Sequence, residues 1–152
     1  MTGIQAPKLP LGRPNFQAWP LAVEARKALS DLALDKTVML RFGGTRSDRH
    51  GRVLAQVFVK DADTENLWLQ REMLRSGLAR VYTFNDNRAC SDELLSAERE
   101  ARGAGRGIWV DPFYDIRDAS NPNGLMERIG SFELVEGEIV SATQVRGRLY
   151  IN

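Results

Sequence analysis

Apolar residues at Leu21, Ala25, Ala28, Leu29 and Leu32 recur every three or four positions. That spacing predicts a helix with one buried face, and Pro20 fits its first position because the fixed φ of proline suits a helix start. Residues 37–42 are rich in β-branched and large apolar side chains and are closed by Gly43-Gly44, which predicts a strand. Residues 52–59 are nearly continuous in apolar character and predict a second strand; the short polar turn between the two makes them a hairpin. Residues 61–64 offer caps for a second helix running to about Ser76, with Leu67, Leu74 and Leu78 spaced to share a face and Gly77 as its stop. Residues 78–84 alternate like a strand, and Asn85-Asp86-Asn87 reads as a turn. Ser91 caps a third helix, with Asp92 and Glu93 in its first turn and Arg99, Arg102 and Arg106 towards its end, an order that suits the helix dipole.

The rest of the chain is less periodic. Pro7, Pro10, Pro14 and Pro20 crowd residues 1–20, so an extended loop is expected there. Residues 111–130 carry Asp111-Pro112 and Asn121-Pro122-Asn123-Gly124 and read as a linker. Residues 131–152 return to a strand pattern and predict a C-terminal hairpin, with its turn near residues 144–147. Nothing caps the pattern at Ile151-Asn152, so further chain beyond it is expected. Antiparallel strands with helices between them define an α+β fold.

Composition narrows the chemistry. The chain has 152 residues, 43% hydrophobic and 27% charged, which excludes wholesale disorder and corresponds to about one domain. No apolar run is long enough to span a bilayer, so no membrane partner is expected. The N-terminus lacks a basic stretch followed by an apolar one, and localisation is left open. Lys plus Arg number 21 against 20 Asp plus Glu, so any contact with nucleic acid must come from a local patch. One cysteine, Cys90, and one histidine, His50, supply neither an intrachain disulfide nor an ordinary zinc site. Cys90 is expected to be a small, partly buried and unactivated thiol.

The most basic short stretch is Arg46-Ser47-Asp48-Arg49-His50-Gly51-Arg52. At a hairpin tip its three guanidinium groups could converge on one phosphate, with His50 donating to an oxygen or stacking on a base. The alternative is a solvated turn, polar only because turns are. Trp19, Trp68 and Trp109 sit in or beside apolar runs and are expected in the core rather than as stacking platforms.

The order of the motifs adds to this. Asp48-Arg49-His50-Gly51-Arg52-Val53-Leu54-Ala55 precedes the run from Glu72 to Tyr82 that contains Ser76-Gly77-Leu78-Ala79-Arg80-Val81; Glu98-Arg99-Glu100-Ala101-Arg102 and Gly107-Ile108-Trp109 follow. Over roughly residues 3–110 this series resembles the staphylococcal nuclease family. The resemblance implies a mainly β oligonucleotide-binding (OB-fold) barrel with three helices over residues 1–110, a linker over 111–130 and a hairpin over 131–152. It implies calcium-dependent cleavage of DNA or RNA phosphodiesters in the full-length form. It assigns Arg52 a catalytic role on the phosphate, places Arg49 and His50 near a terminal phosphate, and puts Tyr82 or Phe84 near the bases.

The departures from the family pattern are as informative. The acidic motif of the family aligns with Ile4-Gln5-Ala6-Pro7-Lys8, so Gln5 stands at a metal-ligand aspartate and Lys8 at the general base. A neutral amide serves a hard cation poorly, and a charged lysine neither deprotonates water nor tolerates calcium. The resemblance therefore implies no metal site and no cofactor in this stretch, with Gln5 and Lys8 left to contact substrate. The family's opening strands would lie before residue 1. The C-terminal hairpin could fill their place, in cis or by strand exchange in a homodimer, or begin a separate small β module. Three readings stay open: a nuclease whose present residues are inactive, a non-catalytic module binding single-stranded nucleic acid, and a module binding a protein partner.

Overall fold

The computed structural model describes residues 1–60, 66–131 and 133–151. The chain divides into two compact units, Met1–Phe113 and Tyr114–Asn152. In the first, β1 (Gly3–Gln5) leads through a long loop to α1 (Ala22–Ala33), then β2 (Val38–Arg41), β3 (Gln56–Val59), β4 (Leu67–Trp68), α2 (Leu69–Arg75), β5 (Arg80–Tyr82) and α3 (Ser91–Gly103). Short 3-10 turns follow at Gly107–Val110 and Pro112–Tyr114. The second unit holds β6 (Arg117–Asp118), α4 (Pro122–Met126), β7 (Val135–Glu136), β8 (Ala142–Val145) and β9 (Arg148–Ile151).

The α+β reading holds, with helix and strand mixed rather than mainly β. The strands form one antiparallel three-stranded sheet, β2-β3-β4, and three two-stranded sheets, β1-β5, β6-β7 and β8-β9. Among the described residues none of these closes into a barrel. The expected hairpin of residues 37–59 is present as β2 and β3, paired from Val38 with Val59 to Arg41 with Gln56. The stretch read as a linker contains β6 and α4, and the C-terminal hairpin pairs Ala142 with Ile151 through Val145 with Arg148.

Several elements differ from the sequence expectation. Residues 1–20 are not all loop: β1 pairs antiparallel with β5, Gly3 opposite Tyr82 and Gln5 opposite Arg80. The strand ends before Pro7, so the prolines do not touch its ladder. The second helix begins only at Leu69, after β4; its expected caps at residues 61–64 lie outside the described residues. Ser91 is the first helical residue of α3 rather than its cap, and Cys90 holds the cap position in a left-handed conformation with φ 65°.

The core of the first unit gathers Ala25 from α1, Trp68 from β4, Met73 and Leu74 from α2, Ala79, and Leu94 and Ala97 from α3. A second cluster joins Val57 and Val59 to Leu69. Of the three tryptophans expected in the core only Trp68 is there, its indole N–H donating to Gln56 Oε1 at 3.0 Å; Trp19 and Trp109 are half-buried and lie outside both core clusters. Gln70, fully buried, fixes the edge that carries the site. Its carbonyl accepts the Val57 N–H at 3.0 Å, and its amide donates to Ala55 O at 2.9 Å and Thr2 O at 3.2 Å. A buried amide with its polar atoms paired specifies one arrangement, because breaking it would strand several groups at once. The Thr2 N–H also donates to Ala55 O at 3.1 Å, so the chain start is fastened beside the strand that leaves the basic turn.

Candidate functional site

Residues 47–53 close on themselves. Asp48 N–H donates to Arg52 O at 3.0 Å, Gly51 N–H to Asp48 O at 3.0 Å, and Leu54 N–H to Arg46 O at 2.9 Å. Gly51 has φ 72°, the left-handed region where a side chain is costly. The Asp48 carboxylate organises the turn from within. Oδ1 accepts the backbone N–H groups of His50 at 2.8 Å and Arg52 at 3.0 Å, and Oδ2 accepts Nε of Arg52 at 2.6 Å. All of these bonds favour the charged form, and with the Arg52 backbone N–H as the largest cause they hold the carboxyl down to about 2. Arg52 is thus aimed by its own turn, with both Nη groups uncommitted among the described residues. Arg49 donates from Nε to His50 Nε2 at 3.1 Å, so the histidine nitrogen is an acceptor here.

This turn forms one wall of an open cleft of about 760 Å³. The cleft brings together all seven residues singled out in the sequence: Gln5, Lys8, Arg49, His50, Arg52, Tyr82 and Phe84. β1 supplies Gln5, whose amide donates to Ala6 O at 2.7 Å. β5 and the residues after it supply Tyr82 and Phe84, both partly exposed, with ring centroids 5.0 Å apart in an edge-to-face arrangement. Such a pair presents an aromatic surface beside cations, a combination suited to a stacked base next to its phosphate.

Five further lining residues were not picked out from the sequence as site members, the charged Arg13, Asp48 and Asp86 together with Ser47 and Leu54. Asp48 is the first residue of the D-x-x-G-R spacing, so a signal for it existed; Arg13 lies in the proline-rich loop, where no periodicity marks which residues turn inward. The convergence of three guanidinium groups expected at the turn is corrected. Arg46 lies over the Phe42 ring at 4.9 Å, and Arg41 over Phe58 at 4.8 Å, and neither lines the cleft. Lys8 takes the third cationic place instead. Cys90 is exposed rather than partly buried, and desolvation followed by the nearby Glu93 pushes its thiol up, which leaves it a poor nucleophile.

The lining carries four cationic side chains, Lys8, Arg13, Arg49 and Arg52, against two carboxylates, Asp48 and Asp86. A calcium ion asks for six to eight oxygen ligands with several carboxylates among them. Both oxygens of Asp48 are engaged in its own turn, and Asp86 Oδ2 accepts the Thr45 hydroxyl at 2.7 Å. Among the described residues no three His, Cys, Asp or Glu side chains group as a metal site. The donor set of this cleft does not fit calcium.

Comparison with known proteins places residues 1–111 on the family model described as Staphylococcal nuclease homologue. Endonuclease YncB of Bacillus subtilis is 32% identical over 104 residues, 67% of this chain and 47% of the relative. A probable endonuclease lcl3 of Aspergillus niger is 32% identical over 150 residues, 91% of this chain and 52% of the relative. The probable staphylococcal-like nuclease CAN2 of rice is 35% identical over 110 residues, 72% of this chain and 25% of the relative. The chain therefore spans about a quarter to a half of the length of these relatives.

Proposed function

Because this chain belongs to the staphylococcal nuclease homologue family, we propose that its cationic cleft receives the phosphodiester backbone of a single-stranded nucleic acid, and that the full-length protein acts on that bond. The observation that carries this reading is the double hold of Asp48 on Arg52, which presents a guanidinium fork at the wall of a cleft also lined by Arg49 and His50. A planar fork matches phosphate in a way a point charge does not. Tyr82 and Phe84 supply the stacking surface for a neighbouring base.

Residues 1–152 by themselves are proposed to hold a strand without cutting it. Hydrolysis needs a group that takes a proton from water, and Lys8, standing where the family carries that acid, holds no lone pair while charged. The two small sheets β1-β5 and β2-β3-β4 are read as portions of the family's barrel, and exchange of the β8–β9 hairpin between two copies is one way in which more strands could join them.

Two measurements test this. A labelled single-stranded oligonucleotide should bind with an affinity that falls steeply with salt, as phosphate contacts require. The same oligonucleotide should survive prolonged incubation with excess calcium. Failure to bind at low salt would overturn the cleft's assignment and favour a protein partner; cleavage would overturn the proposed inactivity of these residues.

A further inference from the structure

We propose that Lys8 is a phosphate-binding residue whose fixed ammonium lets the cleft bind nucleic acid without any divalent cation. This rests on the reading above that the cleft receives nucleic-acid phosphate. Lys8 is held at both ends by one residue. Its carbonyl accepts the Trp19 N–H at 2.9 Å, and its ammonium sits 4.8 Å from the centroid of the Trp19 ring. Trp19 is itself positioned by Phe113, with centroids 5.6 Å apart, and by Phe16 at 6.5 Å.

The loop that joins Lys8 to Trp19 is tied down as well. Arg13 donates from Nε to Pro10 O at 3.1 Å and from Nη2 to Leu9 O at 2.7 Å, and its guanidinium lies 3.8 Å from the Phe16 ring centroid. Arg13 therefore acts as a clamp on the loop, and Lys8 as the cation the clamp sets in place. Among the described residues no carboxylate lies within ion-pair distance of Lys8. A cation–π contact orients an ammonium without using up its N–H donors, so all the charge remains available to an anion in the cleft.

The other side of the cleft agrees. Both oxygens of Asp48 are held within the turn and Asp86 Oδ2 accepts the Thr45 hydroxyl, so a divalent ion would meet few oxygens and a fixed positive charge. Lys8, Arg49 and Arg52 supply positive charge to the phosphate directly instead.

The test is fluorescence anisotropy of the whole chain with a labelled single-stranded oligonucleotide, in EDTA and then in excess calcium at matched ionic strength. The expected result is the same Kd in both buffers within about two-fold. Loss of one phosphate contact should raise Kd about four-fold at ~0.15 M salt and lower the salt slope by about 0.7, so K8Q should show both changes while K8R retains binding. Far-UV circular dichroism confirms that K8Q is folded. Binding that requires calcium, or a K8Q chain with unchanged Kd and slope, would overturn the inference while leaving the cleft's assignment intact. Absence of binding in both buffers would overturn the assignment and the inference with it.

Discussion

Asp48 grips Arg52 twice, accepting its backbone N–H at 3.0 Å and its Nε at 2.6 Å, so the turn and the aim of the guanidinium are set by one carboxylate. Removing only one partner leaves the other exposed to the ligand. In R52A the Asp48 charge stays at the cleft wall and faces the incoming phosphate uncompensated. We expect R52A to weaken binding of a single-stranded oligonucleotide about ten-fold or more, since hydrogen bonds to charged groups are worth roughly 1.5–3 kcal/mol. The double variant D48N/R52A should bind better than R52A alone, a non-additivity that a double-mutant cycle of anisotropy titrations reads directly.

The same carboxylate makes stability depend on pH. Its folded pKa lies at about 2, below the ordinary 3.8, so the unfolded chain takes up the proton first as pH falls. The contribution is complete above the ordinary value and is lost as pH drops from about 4 towards 2. D48N removes the titrating group. Urea denaturation midpoints of wild type and D48N should therefore differ most above pH ~4 and converge towards pH ~2. A gap that stays constant across that window would show that Asp48 does not carry the effect.

How much of this was legible in the sequence depends on how local each feature is. The Asp48–Arg52 turn spans five positions, so the family resemblance could mark Arg49, His50 and Arg52 there, while the residues alone left a solvated turn as the alternative and Asp48 unassigned. The β2–β3 pairing and α3 follow from short-range periodicity. β1 was hidden because it is only three residues long and its signal is overwhelmed by the prolines beyond it. The Lys8–Trp19 contact was hidden for a different reason. It joins two ends of an aperiodic loop, and the partner ring is chosen by tertiary packing against Phe113 rather than by any spacing. Arg46 misled because three arginines in one turn look alike in sequence, while in space one is drawn onto Phe42.

Stacking and charge can be separated by experiment. Phe84 packs edge-to-face on Tyr82 at the cleft and is partly exposed. F84A should cost about 1 kcal/mol of single-strand binding, roughly five-fold in Kd, because a base loses its aromatic neighbour. The slope of log K against log salt should stay unchanged, since no phosphate contact is removed. A reduced slope would mean that Phe84 acts by placing a cation rather than by stacking.

The frame beneath the site rests on a close approach of two backbones. Gly77 follows α2 with φ 70°, and its carbonyl accepts the Ile108 N–H at 2.8 Å. A Cβ at Gly77 would overlap the Arg106 carbonyl, and one at Gly107, φ 57°, would overlap the Gly77 carbonyl. Two backbones therefore meet at van der Waals distance, and only glycine on both sides permits it. That contact holds the end of α3 beside the start of the segment leading to β5, the strand that carries Tyr82. G77A meets both a forbidden φ and a backbone clash, and should cost on the order of 2 kcal/mol or more. For a unit of this size that is a fall in Tm of about 8 °C, measurable by differential scanning calorimetry. A G77A chain that melts at the wild-type temperature would show that the two segments can separate without consequence. The Arg52 turn stands on residues 47–53 and the Gln70 bonds instead, so whatever oligonucleotide affinity remains below the melting transition should still respond to R52A.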